Sequence, residues 1–300
     1  MPVLIAMDWG TTNRRGYLID AAGAVLDRRE DGLGLANIEA DGFRAAFDAM
    51  VAPWTASFGK LPALLSGMVG ASTGWREAPY CRLPAGLDEL AKNLEPVPGD
   101  RPIWIVPGVS IRSVANMPDV MRGEEIQSIA AASDGLIILP GTHSKWLRME
   151  SARIVGFKTF MTGDLHAAIL NHTVVSALAV GGGKGESGAF DEGAETGRAG
   201  HGDLLHILFG ARSRVLFDEL APEDVSDYLS GLLIGAEIGS ALETGVATNG
   251  PVLVVGNDTL AALYRGALVR CGVDARIADG DAIGETYWQI ATRAGLLQDR

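Results

Sequence analysis

Asp8-Trp9-Gly10-Thr11-Thr12-Asn13-Arg14 follows an apolar strand, Val3 to Met7, and an altered copy, Gly141-Thr142-His143-Ser144-Lys145, follows a second apolar strand, Leu136 to Leu139. The copies stand in one register, 131 positions apart and without a gap: Gly10 and Thr11 fall on Gly141 and Thr142, Arg14 on Lys145, and Leu18 on Met149. Glycine lets the backbone approach an anion, and successive N–H groups with threonine hydroxyls donate to it, so each turn reads as a grip for phosphate. A single Gly-Thr turn also occurs in ordinary hairpins; the ordered pair strengthens the argument for phosphate. Asp8 falls on Leu139, so only the first copy has an acid at the mouth of its strand. Two phosphate grips and one carboxylate for a metal ion suggest a cleft closing over ATP.

Composition narrows the class. At 300 residues the chain exceeds the usual single core and suggests two domains. A net charge of −12 argues against a nucleic-acid surface, which needs clustered Lys and Arg. Cys81 and Cys271 are too few for a disulfide framework or a zinc site, which makes a reducing cytoplasm the simplest setting. The N-terminal apolar run breaks at Asp8 without a basic leader, and no uncharged stretch reaches membrane-spanning length. The expectation is a protein neither exported nor held in a membrane.

Periodicity gives strands at 3–8, 16–20 and 24–29, then an amphipathic helix near 40–58 with Phe43, Phe47, Met50, Val51 and Trp54 on one face. Short strands at 63–66 and 103–106 follow, and a helix over 120–132 leads into the second half. There the pattern gives strands 136–139, 145–150 and 153–160, helices 163–179, 202–218 and 225–244, strand 251–255, helix 258–271, strand 273–278 and helix 282–297. Three antiparallel strands followed by alternating helices and strands, run twice, is a duplicated α/β architecture. We place the domains at 1–125 and 126–300, with the last helix free to return to the first. Residues 181–200, including Gly181-Gly182-Gly183-Lys184-Gly185, lack P-loop spacing and a preceding strand, and read as a mobile insertion.

AMDWGTTNRR (6–15), SGMVGASTGWREAPY (66–80), PDVMRGEEIQ (118–127), LPGTHSKW (139–146), FKTFMTGDL (157–165) and LSGLLIGAEI (229–238) run in an order that spans nearly the whole chain. In these segments the chain resembles the acetate and sugar kinase, Hsp70 and actin superfamily, and within it the 2-dehydro-3-deoxygalactonokinase family. The resemblance implies two duplicated ribonuclease H-like domains of the actin-like ATPase fold around an ATP cleft. It also implies phosphorylation of the terminal hydroxyl of a six-carbon 2-keto-3-deoxy sugar acid with ATP and Mg²⁺, in galactonate breakdown. The epimeric 2-keto-3-deoxygluconate, an anhydro amino sugar, or a nucleotide-driven binding module of the same fold are the alternatives, because fold does not fix function.

Chemistry distributes the roles. Phosphoryl transfer asks for positioning, charge stabilisation and a group to receive the hydroxyl proton. Asp8 is placed to hold hydrated Mg²⁺, an ion that takes one or two carboxylates and keeps several waters, or else caps its turn. Gly10, Thr11, Thr12, Gly141 and Thr142 would line the phosphates, with Arg14 and Lys145 either neutralising them or standing as solvated strand charges. Similar sugar kinases open a helix with a catalytic Asp, which points to Asp119 as the base, 22 positions before Gly141; helix capping is the rival reading. Glu124 and Glu125 follow it, and one of them is expected to pair with Arg122.

A keto acid's carboxylate suits a bidentate Arg, for which Arg76 and Arg122 are the candidates, with Trp75 or Trp9 as a flat wall. Arg beside Glu is often an ion pair, and Trp is often core. Ser66, Gly67 and Thr162 would line the sugar site. For adenosine, Gly256 and Asn257 after a strand and Gly231 and Gly235 on one helix face are the candidates, although glycines four apart also serve close helix packing. The five His residues form no metal constellation, and His143 sits in the second turn. The partners expected are ATP and a small sugar acid, with no nucleic acid or membrane, and a homodimer as an open option.

Overall fold

The computed structural model describes residues 1–112, 116–181, 188–243, 250–278 and 283–297. In chain order its elements are β1 (Pro2–Trp9), β2 (Arg14–Asp20), β3 (Val25–Asp31), α1 (Phe43–Phe58), β4 (Ala63–Ser66), β5 (Tyr80–Arg82), α2 (Leu87–Lys92), β6 (Glu95–Val97), β7 (Ile103–Ile105), β8 (Gly108–Arg112), β9 (Pro118–Met121) and α3 (Glu124–Ala131). There follow β10 (Gly135–Leu139), β11 (Ser144–Glu150), β12 (Arg153–Phe160), α4 (Thr162–His172), α5 (Ala189–Ala199), α6 (Leu204–Leu216), α7 (Val225–Glu243), β13 (Val252–Val254), α8 (Asp258–Arg270), β14 (Ala275–Ile277) and α9 (Ile283–Arg293). The chain forms two compact units: Met1–Asp134 with Leu147–Phe157 and Asp279–Arg300, and Gly135–Trp146 with Lys158–Ala278.

One sheet orders its strands β3-β2-β1-β4-β7-β6, and another orders them β12-β11-β10-β13-β14. Read from the hairpin edge, both run third, second, first, then onward through two parallel neighbours, β4 and β7 or β13 and β14, which is the duplication at the level of topology; the first sheet adds β6 antiparallel at its far edge. β1 pairs with β2 on one side and β4 on the other, so Leu4 to Met7 are apolar without alternation and fully buried. β3 closes the edge, and its Asp27, Arg28, Arg29, Glu30 and Asp31 suit a strand that must not recruit another.

In the first unit α1 lays Phe43, Phe47, Met50, Val51 and Trp54 against Ile5, Met7, Trp9 and Leu18, the face expected from its spacing. α9 packs on β1, β2, α2 and α3. In the second unit α7 and α8 cover β10 and β13 with Ile234, Ile238, Ala261 and Tyr264.

Two expectations are corrected. The helix foreseen over 120–132 begins only at Glu124, because residues 118–121 form β9 in a small sheet ordered β5-β8-β9, and Gly123 at φ +108° turns the chain from strand to helix. The presumed loop over 181–200 contains α5; residues 182–187 of that segment lie outside the described residues. No described helix is long and apolar enough to cross a membrane. Cys81 is buried, Cys271 is half-buried, and both are free.

Candidate active site

The first turn is strapped from behind. Gly10 N–H donates to the Asn13 carbonyl at 2.9 Å, while the carbonyls of Gly10, Thr11 and Thr12 accept from Leu35, Ala36 and Gly34. Buried Trp9 adds an indole bond to the Leu33 carbonyl at 2.9 Å. With its carbonyls tied back, the turn leaves Thr11 and Thr12 exposed.

Asp8 is the penultimate residue of β1, beside the parallel strand β4 and in register with Ser66. Its side chain keeps 18% of its surface, and Arg15 Nη1 stands 4.0 Å from Oδ2. Burial lifts its carboxyl to about 6, with Arg15 opposing and Glu124 adding to the rise. Gly67, at φ +88°, brings its backbone so near that a Cβ would stand 3.2 Å from Asp8 Oδ1 and 2.8 Å from the Trp9 carbonyl. A Cβ on Gly123 would stand 3.9 Å from the same carboxylate oxygen. The start of α3 therefore lies beside Asp8.

These donors suit magnesium. One carboxylate flanked by bare backbone leaves most of the ion's shell to water and phosphate, the usual way it is held. Among the described residues no cluster of three His, Cys, Asp or Glu side chains could hold a metal without such help.

Glu124 and Glu125 open α3. Glu124 accepts from the Arg122 N–H at 3.0 Å, and Glu125 Oε2 accepts from the Gly123 N–H at 2.7 Å. Glu125 is fully buried, and its Oε1 has no partner among the described residues. Burial, then the neighbouring Glu124, pushes its carboxyl up to about 8. Arg122 is also buried: Nη2 donates to the Ala78 carbonyl at 2.8 Å, the guanidinium lies 4.3 Å from the Tyr80 ring centre, and Nε and Nη1 lack partners among the described residues. Ser66 shares a 2.5 Å hydroxyl bond with buried Tyr287 of α9.

In the second unit the start of α4 is fastened to the second turn. Asp164 N–H donates to the Thr142 carbonyl at 3.0 Å, the His143 ring meets Asp164 at 3.1 Å, and Gly163 packs so tightly that a Cβ would lie 2.6 Å from the Gly141 carbonyl. Lys145 is buried beside the turn and donates to the His143 carbonyl at 3.2 Å. Gly141, Thr162, Gly163, Ser230, Leu233 and Tyr264 line a half-open cavity. Helix N-termini carry unpaired N–H groups and a positive dipole end, so this wall favours an anion.

Several expected site residues are otherwise engaged. Arg14, foreseen against phosphate, is buried in a two-pronged bond to Asp31 and a third bond to the Ala46 carbonyl, because its alternate position on β2 points it toward α1. Asp119 does not open a helix; it sits within β9 opposite Ile111, and its carboxylate accepts from the Val120 N–H. Gly231 and Gly235 face α5, where a Cβ would lie 1.9 Å from the Phe190 carbonyl and 2.1 Å from that of Ala194, so they serve helix packing. Asn257 caps α8, accepting from Thr259 N–H at 3.0 Å and Leu260 N–H at 3.4 Å. Gly256 is exposed next to Pro140. Trp75 stacks on Phe43 at 6.4 Å within the aromatic core, and Arg76 pairs with Glu95 at 2.7 Å on the surface.

Reading the sequence passed over Glu237. It is the single ionisable residue in the apolar run Leu229 to Ile238 of α7, and a lone acid there signals a buried, partnered group.

A strand order run twice, a Gly-Thr turn after the first strand of each sheet and one strand-end carboxylate define the actin-like ATPase class of kinases. A xylulose kinase from Lactobacillus acidophilus superposes at a TM-score of 0.52 over 100% of this chain and 91% of its own, at 10% identity, and so shares the fold. The sequence model of the 2-keto-3-deoxy-galactonokinase family matches residues 8–290, and the chain belongs to that family. It is 36% identical to the 2-dehydro-3-deoxygalactonokinase of Escherichia coli (strain K12), over 92% of this chain and 93% of that one. It is 38% identical to a Rhizobium meliloti (strain 1021) protein named as a probable 2-dehydro-3-deoxygalactonokinase, over 97% of this chain and 94% of that one. A crystal structure from Sinorhizobium meliloti, provisionally given the same name, superposes at a TM-score of 0.88 with 35% identity, covering 99% of this chain and all of that one.

Proposed function

We propose that this chain is an ATP-dependent phosphotransferase that phosphorylates the terminal hydroxyl of 2-dehydro-3-deoxygalactonate, a step of galactonate catabolism carried out in the cytoplasm. The observation that carries the reading is the match to a family named for that activity over residues 8–290, almost the whole chain.

The second unit binds the nucleotide: the turn at Gly141 and Thr142, Lys145 and the first turn of α4 face the phosphates, and the cavity between α4, α7 and α8 takes the adenosine. Support comes from the start of α4 at Thr162 and Gly163 standing in the cavity wall that Gly141 and Leu233 share. In the first unit Thr11 and Thr12, exposed on their turn, are the candidate donors to phosphate. Asp8 would hold Mg²⁺, which when bound neutralises charge on the transferred phosphoryl group.

The proton of the attacking hydroxyl goes to Glu124 rather than to Asp119. Glu124 opens α3 next to Asp8 and raises its carboxyl, whereas Asp119 is fixed in β9. For the substrate carboxylate Arg122 is the better arginine, since Arg76 is committed to Glu95. A buried guanidinium with unpartnered nitrogens is costly, and an arriving anion offsets that cost. Ser66 and Gly67 border the same region.

ADP release measured with a panel of 2-keto-3-deoxy sugar acids tests the reading. The galacto epimer should give the highest kcat/KM. Preference for the gluco epimer would move the assignment to that kinase, and no stimulation by any acid would point to a nucleotide-driven binding protein.

A further inference from the structure

Glu237 lies behind the nucleotide cavity, on the face of α7 that also carries Ser230 and Leu233, seven and four residues earlier. It is buried, and both carboxylate oxygens are saturated. Oε1 accepts from the Ser144 hydroxyl at 2.6 Å and from the Trp146 indole N–H at 2.6 Å. Oε2 accepts from the Tyr264 hydroxyl at 2.7 Å and from the Thr162 hydroxyl.

The four donors come from three directions. Ser144 and Trp146 open β11 directly after the second turn, Thr162 is the first residue of α4, and Tyr264 is on α8. Thr162 and Tyr264 themselves line the cavity. One carboxylate therefore ties the exit of the turn, the start of α4 and the far wall to α7. Burial holds its carboxyl above the ordinary value, with the four hydrogen bonds opposing the rise. Trp146 can only donate, and a carboxylate offers about four acceptor positions, so the charged form satisfies every group here without a leftover proton.

We propose that Glu237 is the positioning residue of the nucleotide site: by holding Ser144, Trp146, Thr162 and Tyr264 as donors, it sets the second turn and the α4 N-terminus in the geometry that phosphates require. It touches no reacting atom and acts through the groups it holds. The role rests on the kinase reading for its ligand, ATP, and on the geometry alone for its mechanism. Pre-set donors cost no reorganisation when charge arrives, and a network missing one partner loses that advantage.

Glu237→Gln is the test. An amide keeps the acceptor for Ser144 and Trp146 but turns an –NH₂ on Thr162 and Tyr264, which must then accept. The variant should fold, as followed by circular dichroism and the thermal midpoint, and ATP binding by calorimetry should weaken about tenfold or more, the loss expected for a charge-assisted network. KM for ATP should rise in parallel, with KM for the sugar acid unchanged. Ser144→Ala should weaken ATP binding on its own yet add little in the Glu237→Gln background, the sign of a shared network. A folded Glu237→Gln protein with wild-type ATP affinity overturns the proposal. Should that variant fail to fold, Ser144→Ala and Tyr264→Phe carry the test, and unchanged ATP affinity in both overturns it equally. Binding is read without the second substrate, so a wild-type protein that binds ATP but phosphorylates no sugar acid would sink the kinase reading and leave this test standing.

Discussion

Arg14 lays Nε and Nη2 against the two carboxylate oxygens of Asp31 at 2.8 and 2.9 Å, and the same guanidinium stands 5.0 Å from the centre of the Trp9 ring. A residue whose sequence position suggested phosphate is thereby a brace between β2, β3 and α1. Lysine cannot reproduce a planar fork, so Arg14→Lys should lower stability by about 1–3 kcal/mol. KM for ATP should stay within about twofold, as expected when no ligand contact is removed. Denaturant unfolding and steady-state kinetics separate the two effects, and a raised KM with unchanged stability would return Arg14 to the phosphates.

The base assignment divides Glu124 from Asp119. Glu124→Gln should keep ATP binding while kcat falls about 10²-fold or more, the usual contribution of a positioned base. Asp119→Asn should remain within a few-fold of wild type, because its carboxylate serves the local backbone of β9. Reversal of this order in single-turnover measurements would restore Asp119 and disqualify the argument from the start of α3.

The packing of α5 on α7 is backbone against backbone. A Cβ on Gly193 or Gly197 would lie 2.1 Å from the Tyr228 carbonyl or 1.9 Å from that of Leu232, and Gly231 and Gly235 repeat the arrangement from the other side. Gly231→Ala must therefore part the helices and should cost about 1–3 kcal/mol or more, as overpacking does. Gly256→Ala is the contrast: the nearest atom to a Cβ there is 3.6 Å away, so the thermal midpoint should hold, and any loss of ATP affinity reports on the nucleotide directly. Equal stability of the two variants would refute the packing account.

What could be read in advance followed from burial and period. β1, β4 and β10 are buried on both faces, so their residues are apolar in unbroken runs, and the turns after β1 and β10 carry glycine where the backbone must come close. α5 escaped because its buried face is Ala189, Gly193, Ala194 and Gly197, small residues that hydrophobic periodicity does not register. The helix start expected at Asp119 was misplaced because β5 and β9 are three and four residues long, too short to show alternation, while the true helix start is set by the positive φ of Gly123. Arg14 and Lys145 have matching sequence positions but different surroundings. Only the partner on β3, Asp31, distinguishes the first as a brace, and a cross-strand partner is not visible from the turn alone.

Glu125 makes stability depend on pH with a definite sign. Its carboxyl sits near 8 in the folded protein against an ordinary 4.5, lifted by burial and by Glu124, while the Gly123 N–H and Arg122 oppose. Tyr287 and Cys81 also face it, and its charge would raise both. An acid whose folded value is raised holds its proton more tightly when folded, so its contribution is fully present below about 4.5 and is lost as pH rises through about 8. Glu125→Gln cannot ionise and escapes that loss, although its amide finds no partner where Oε1 has none among the described residues. The thermal midpoint of the variant relative to wild type should accordingly climb from pH 5 to pH 9, by about 5 °C or more at one to two kcal/mol for each pH unit below the folded value. Asp8 titrates with the same sign in both proteins and cancels from the difference. A gap that stays constant across this range would mean that Glu125 ionises normally, with a counter-charge or water reaching Oε1.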